Sequence, residues 1–195
     1  MSTREALSQP ARRDVPRSQG LVAWRFWDVT RSEDGLRLCS PYRGVVWQPL
    51  ETLEARCLSV DAELRRPRSR HEPPGERCRC GVYGGSYSQL EDFLRARLTH
   101  QAGLPVLGRV LLWGRLVPDE GGWRASHAYP VQLLVSTASR NTFEVAAALE
   151  CYGVQVGVLD ARDTFGMLNG RPRLPETRHL KVLPEPTRRK EETWP

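Results

Sequence analysis

The chain has 195 residues, 39% of them hydrophobic, a mean hydropathy of −0.50 and a formal net charge of +6. That composition excludes a disordered chain, and no run approaches the roughly 18 consecutive apolar residues that a membrane helix needs. With no apolar segment in MSTREALSQPARRDVPRSQG, the expectation is a cytoplasmic protein with one domain, spanning residues 21–182 between flexible tails at 1–20 and 183–195.

Strand signals begin at Leu21, where LVAWRFWDV alternates and places Trp24 and Phe26 on one face and Trp27 near the exit. The turn SEDG returns the chain into LRLCS, and VVWQP and EARCLSV read as further strands. From Asp61 to Arg77 runs a Pro- and Arg-rich loop without periodicity, long enough to need a function or a pin. CRCGVYGG then reads as a tight turn, and a helix follows, capped by Ser86 or Ser88, with Tyr87, Leu90, Phe93 or Leu94, and Leu98 as its apolar stripe. GRVLLWGRLV and GWRASHAYPVQLLV, separated by PDEGG, form a long hairpin. A second helix is expected from Thr142 to Tyr152, capped by Asn141 and closed by Gly153, leading into the strand VQVGVL. This order predicts an α+β fold: a mainly antiparallel sheet, curling toward a small barrel, with two packed helices and a metal-pinned loop at 57–81. No internal repeat, P-loop or dinucleotide fingerprint is present in the sequence.

The constellation that carries chemistry is Cys57, His71, Cys78 and Cys80. Thiolate and imidazole are the preferred ligands of tetrahedral zinc, and three sulfurs with one nitrogen form a closed structural set. Such a site is worth on the order of 10 kcal/mol of folding free energy, enough to hold a loop that cannot bury itself. The other readings are an iron–sulfur cluster on the same ligands, or a buried small Cys57 beside a solvated His71. Cys39 and Cys151 read as core residues, and the odd count of five cysteines argues against a disulfide framework.

Two blocks, HEPPGERCRCGVYG and GRVLLWGRLVPDEGGWRASHAYP, resemble an uncharacterised family of bacterial proteins. Its H-x-x-P-x-x-x-C-x-C-G-x-Y core is matched at His71, Pro74, Cys78, Cys80, Gly81 and Tyr83. Its G-x-V-x-L-W-G and G-W-R-A-x-x-A-x-P hairpin is matched from Gly108 to Gly114 and from Gly122 to Pro130. The resemblance covers about Leu21 to Val135. It implies a shared fold in which these residues belong together and brings no activity with it.

Function is read from charge and aromatic placement. The net charge and the cluster Arg66, Arg68 and Arg70 invite nucleic acid, although Lys appears only at Lys181 and Lys190, and such an Arg skew also follows from a GC-rich genome. On the hairpin, Trp113, Trp123, Arg124 and Tyr129 could line one surface for a flat ligand; equally, the tryptophans could fill the core while Arg124 pairs with Asp119, Glu120 or Asp28. The leading expectation is a non-enzymatic, zinc-stabilised binding module for nucleic acid or a nucleotide-like ligand. The alternatives are an adaptor that meets an acidic protein, an iron–sulfur redox sensor, or a metal-dependent or acid–base enzyme using His127 and Glu120.

Overall fold

In the computed structural model the described residues are 13–57, 71–90, 92, 106–137 and 141–159. Eight strands run in the order β1 (Arg13–Val15), β2 (Leu21–Ser32), β3 (Gly35–Cys39), β4 (Leu53–Glu54), β5 (Val82–Gly85), β6 (Val106–Asp119), β7 (Gly122–Ser136) and β8 (Gln155–Leu159). Residues 87–90 are helical, and a second helix, α1 (Thr142–Leu149), runs into a 3-10 turn at Glu150–Tyr152. The fold is thus α+β and mostly sheet. No helix among the described residues is long and apolar enough to cross a membrane.

The β6–β7 hairpin organises everything else. Its alternating apolar residues pair antiparallel from Leu107↔Leu134 to Asp119↔Gly122, and Gly121 takes the turn at φ 71°. Two register shifts bend it, one between Arg109 and Val110 and one between Trp113 and Leu116, where Gly114 adopts φ 73°. Along the free edge of β6 lie β2, from Leu21↔Leu112 to Trp27↔Val106, and β1, from Val15↔Gly114 to Arg13↔Leu116. The free edge of β7 carries β5, β4 and the parallel β8 in succession. β5 also touches β2 through the single pair Trp24↔Gly85, so the strands β2, β5, β7 and β6 close a ring of hydrogen bonds.

Apolar side chains fill both faces. On one, Trp27, Leu38, Trp47, Tyr129, Leu133, Leu149 and Tyr152 are buried together; on the other, Leu90, Leu107, Leu134 and Leu159 pack with Trp24, Phe26 and Tyr87. Trp24 and Phe26 therefore share a face, as their spacing requires, and α1 covers the face that holds Trp27.

Several elements differ from the sequence expectation. Arg13–Val15, read as part of a polar tail, is a strand because it continues the edge that β2 occupies on β6. The segment VYGG, read as a turn from its glycines, is β5. Its Gly84 faces the ring interior, where a Cβ would lie 2.7 Å from Ala23 Cβ and 2.9 Å from Leu112 Cδ1. Of EARCLSV the described residues are 54–57, and among them only Glu54 is in a strand, as the end of the two-residue β4; VVWQP forms the isolated bridge Cys39↔Val46. Trp47 is held by its backbone N–H on the Leu38 carbonyl at 2.9 Å and by its side chain: the indole nitrogen donates to Ser40 Oγ at 2.9 Å and the ring meets Trp27 edge-on. Asn141 occupies the N-cap position of α1 without a side-chain bond, because its backbone is left-handed at φ 59°. The stripe beyond Leu90 and the C-terminal tail lie outside the described residues.

Candidate metal centre

Each ligand is delivered by a different local device. Ala55 N–H donates to the Ser126 carbonyl at 2.8 Å, fixing the chain to β7 two residues before Cys57. His71 stands at the far end of the segment 58–70, which lies outside the described residues and includes Arg66, Arg68 and Arg70. Cys78 and Cys80 sit on a turn, closed by Cys78 N–H to the Gly75 carbonyl at 3.2 Å, that leads into β5.

The four ligand atoms all lie within 4.8 Å of one another, close enough to hold a metal ion. Cys57 Sγ and Cys78 Sγ are 3.7 Å apart, and His71 Nε2 is 3.1 Å from Cys80 Sγ. For bonds of about 2.3 Å, the edge of a tetrahedral thiolate site is about 3.8 Å, so the sulfur pair has the spacing of ligands around one ion. Burial, and then the neighbouring Cys78 and Cys57 thiols, push the Cys80 thiol up to about 11.

The surrounding shell explains the sequence of the loop. Gly75 has no room for a side chain: a Cβ would lie 2.7 Å and 2.8 Å from the His71 ring, and its N–H donates to Cys80 Sγ at 3.3 Å. Gly81, at φ 120°, would place a Cβ 2.9 Å from Pro74 and 3.0 Å from Arg124. Arg124, only 5% exposed, directs Nη1 at the carbonyls of Gly75 and Cys80, both at 3.0 Å, and of Cys78. Its Nε lies 3.4 Å from Asp119 Oδ2. On the solvent side, Arg115 pairs with the Glu72 carboxylate and donates to its carbonyl at 3.1 Å. One buried guanidinium thus ties β7 to the metal loop by its backbone.

Three of the hairpin residues offered as a ligand surface, Trp113, Arg124 and Tyr129, are buried. Trp113 is 8% exposed, stacked on His127 at 5.9 Å between centroids, with the Arg17 guanidinium 5.0 Å from its ring. Tyr129 is buried; its hydroxyl donates to the Tyr152 carbonyl at 2.7 Å and accepts from Leu50 N–H at 2.8 Å. Trp123 is half-buried beside Gly84 on β5. The pleat and the bulge at Gly114 turn Trp113, Arg124 and Tyr129 toward core and clamp and leave Trp123 at the wall of a cleft, so the four do not make a common outer surface. His127 Nδ1 contacts Ser126 Oγ at 2.8 Å, while Glu120 stands exposed at the hairpin turn; the acid and base of the enzyme reading do not meet.

The sequence reading missed a cleft of about 1330 Å³ where β2 diverges from β5. Its walls include Phe26, Tyr42, Arg43, Arg79, Tyr83 and Trp123, and Tyr42 is 77% exposed against the edge of Phe26. Arg25 lies in it, donating to the Tyr83 carbonyl and, at 3.1 Å, to Ser40 Oγ, with its guanidinium 5.1 Å from the Trp47 ring. Burial lowers this arginine to about 10, so it stays charged at neutral pH. Alternation in LVAWRFWDV marks Arg25 as opposite in face to Trp24 and Phe26, but nothing in the sequence signals that β2 and β5 part there. The chain matches no protein-family model, no curated protein and no solved structure.

Proposed function

We propose that the chain is a non-enzymatic binding module stabilised by one structural zinc ion, with single-stranded nucleic acid or a nucleotide as its ligand. The observation that carries this reading is the closed set of three sulfurs and one imidazole nitrogen within 4.8 Å, which leaves no ligand position open for a substrate. Four ligand atoms all within 4.8 Å of one another suit a single ion, whereas an iron–sulfur cluster spreads its ligands over several iron atoms and needs some of them farther apart. The ring of strands, read as a small barrel, then serves as the platform to which the ion fastens the loop.

The ligand surface moves from the hairpin to the cleft. Exposed Tyr42 and Tyr83 offer ring faces for stacking, and Arg25, Arg43, Arg56 and Arg79 supply positive charge. Five acidic side chains share the walls with these four arginines, so affinity rests on ring stacking more than on phosphate neutralisation, which suits unpaired bases better than a duplex. Elemental analysis tests the metal: about one zinc per chain, without visible colour, is expected. Fluorescence anisotropy with a labelled oligonucleotide tests the ligand. Binding should fall with salt at a slope of about −0.7 per phosphate contacted, and should weaken in Tyr42→Ala and Arg79→Ala. Zinc-loaded protein that binds neither single strands nor nucleotides would sink the ligand assignment.

A further inference from the structure

The three sulfurs of the centre are unequal. Cys80 is 7% exposed, accepts the Gly75 N–H at 3.3 Å and lies 3.1 Å from His71 Nε2. Its backbone is held by Arg124. Cys57 and Cys78 are both half-buried, their Sγ atoms are 3.7 Å apart, and they come from separate segments of the chain. Cys78 also opens onto a solvent-facing cavity of about 620 Å³ whose lining includes Glu72, Glu76, Arg77 and Arg115.

From this asymmetry we propose that Cys57 and Cys78 form a peroxide-oxidation site, which closes to a disulfide and discharges the metal; the proposal rests on the zinc reading above. Metal-bound Cys78 thiolate attacks one oxygen of hydrogen peroxide. The O–O bond breaks, Cys78 becomes a sulfenic acid, and hydroxide leaves into the solvent of that cavity. The Cys57 thiolate then attacks the Cys78 sulfur, forming the S–S bond and expelling a second hydroxide. Two thiolates lose two electrons and one peroxide gains them. Closing from 3.7 Å to a bond of about 2.05 Å brings the two sulfurs together by less than 2 Å. The ion is left with His71 and Cys80, half of its ligand set, and dissociates. Cys80 is the sheltered ligand, so the order of attack is fixed by access.

The sequence makes the linkage easy to read. Trypsin cleaves after Arg56, Arg65, Arg77, Arg79 and Arg95, so Cys57, Cys78 and Cys80 fall on three different peptides. The experiment uses the full chain carrying Cys39→Ser and Cys151→Ser, which removes the other two thiols and leaves all four ligands. Zinc content is measured first. Peroxide is then titrated while a chromogenic chelator reports released zinc, and non-reduced peptides are analysed by mass spectrometry. One zinc released per Cys57–Cys78 linkage, reversed by dithiothreitol with added zinc, is the expected result. A chain that holds no zinc before peroxide is added overturns the metal reading and the proposal together. A chain that holds zinc and keeps it, or that yields a Cys80-linked peptide or sulfinic acid instead, overturns the oxidation site alone.

Discussion

Replacing Arg124 with Met tests whether the metal loop is held by its backbone as well as by the ion. Met keeps most of the buried stem and removes every donor. Nη1 faces three carbonyls but carries two hydrogens, so about two bonds from a charged donor are lost, each worth about 1.5–3 kcal/mol. Asp119 loses its partner too, but its side chain is 35% exposed and water replaces most of that contact. The sum is about 3–6 kcal/mol, at or above the 10–100-fold cost typical of outer-shell changes at metal sites. Because the carbonyls converge on Arg124 only when the loop is closed, the loss should appear mainly as metal affinity, weaker by about two to four orders of magnitude at about 1.4 kcal/mol per decade. Competition against a chelator of known affinity, alongside urea denaturation of the metal-free protein, separates the two contributions. Arg124→Lys should recover part of the affinity, since it keeps charge and donors but loses the contact with Asp119. An Arg124→Met protein with wild-type zinc affinity and an unchanged denaturation midpoint would refute the clamp.

Gly75→Ala should abolish tight metal binding while leaving metal-free stability nearly unchanged, because the added Cβ collides with the His71 ring and its nearest neighbours, His71 and Cys78, both belong to the metal loop; isothermal titration with zinc and thermal unfolding with chelator check both halves. Gly84→Ala should do the reverse, costing about 1–3 kcal/mol by overpacking against Ala23 and Leu112 in metal-loaded and metal-free protein alike. The Tyr152 hydroxyl donates to the Trp47 carbonyl at 2.6 Å and accepts from Leu38 N–H at 2.9 Å, and burial pushes its pKa up to about 12. An acid whose pKa is raised on folding binds its proton more tightly in the native state, so its stabilisation is intact below the unfolded value of about 10 and declines as pH rises toward 12. Chemical denaturation between pH 9 and 11.5 should show that decline, and Tyr152→Phe should remove part of it while lowering stability at neutral pH by about 2 kcal/mol through two unsatisfied backbone groups.

What the sequence disclosed follows physical range. Periodicity over long runs located β2, β6, β7 and α1, and PDEGG and SEDG located their turns, because those signals are local. Cys57, His71, Cys78 and Cys80 were legible as a group from ligand chemistry, although β4 stops short of Cys57. Arg124 was read as an aromatic-face residue or as the partner of an acid; the Asp119 contact is present, but its three carbonyl acceptors lie 44 to 49 positions away in the chain and leave no mark on local pattern. Gly84 and Gly85 misled for a related reason: glycine marks both turns and close approaches, and here it marks a strand with no room for Cβ. The cleft was invisible because it arises from where two strands stop pairing.

That parting has a consequence for the protein as a whole. β2 and β5 share one ladder pair, reinforced by Arg25 on the Tyr83 carbonyl, and β5 enters the ring directly from Cys80 through Gly81. The metal centre therefore sits at the latch of the ring. If its ion is lost, the weakest seam is the one released, and the closed sheet gains the unpaired edges of β2 and β5. Open edges recruit strands from other chains, so metal loss should register as self-association in light scattering before it registers as unfolding.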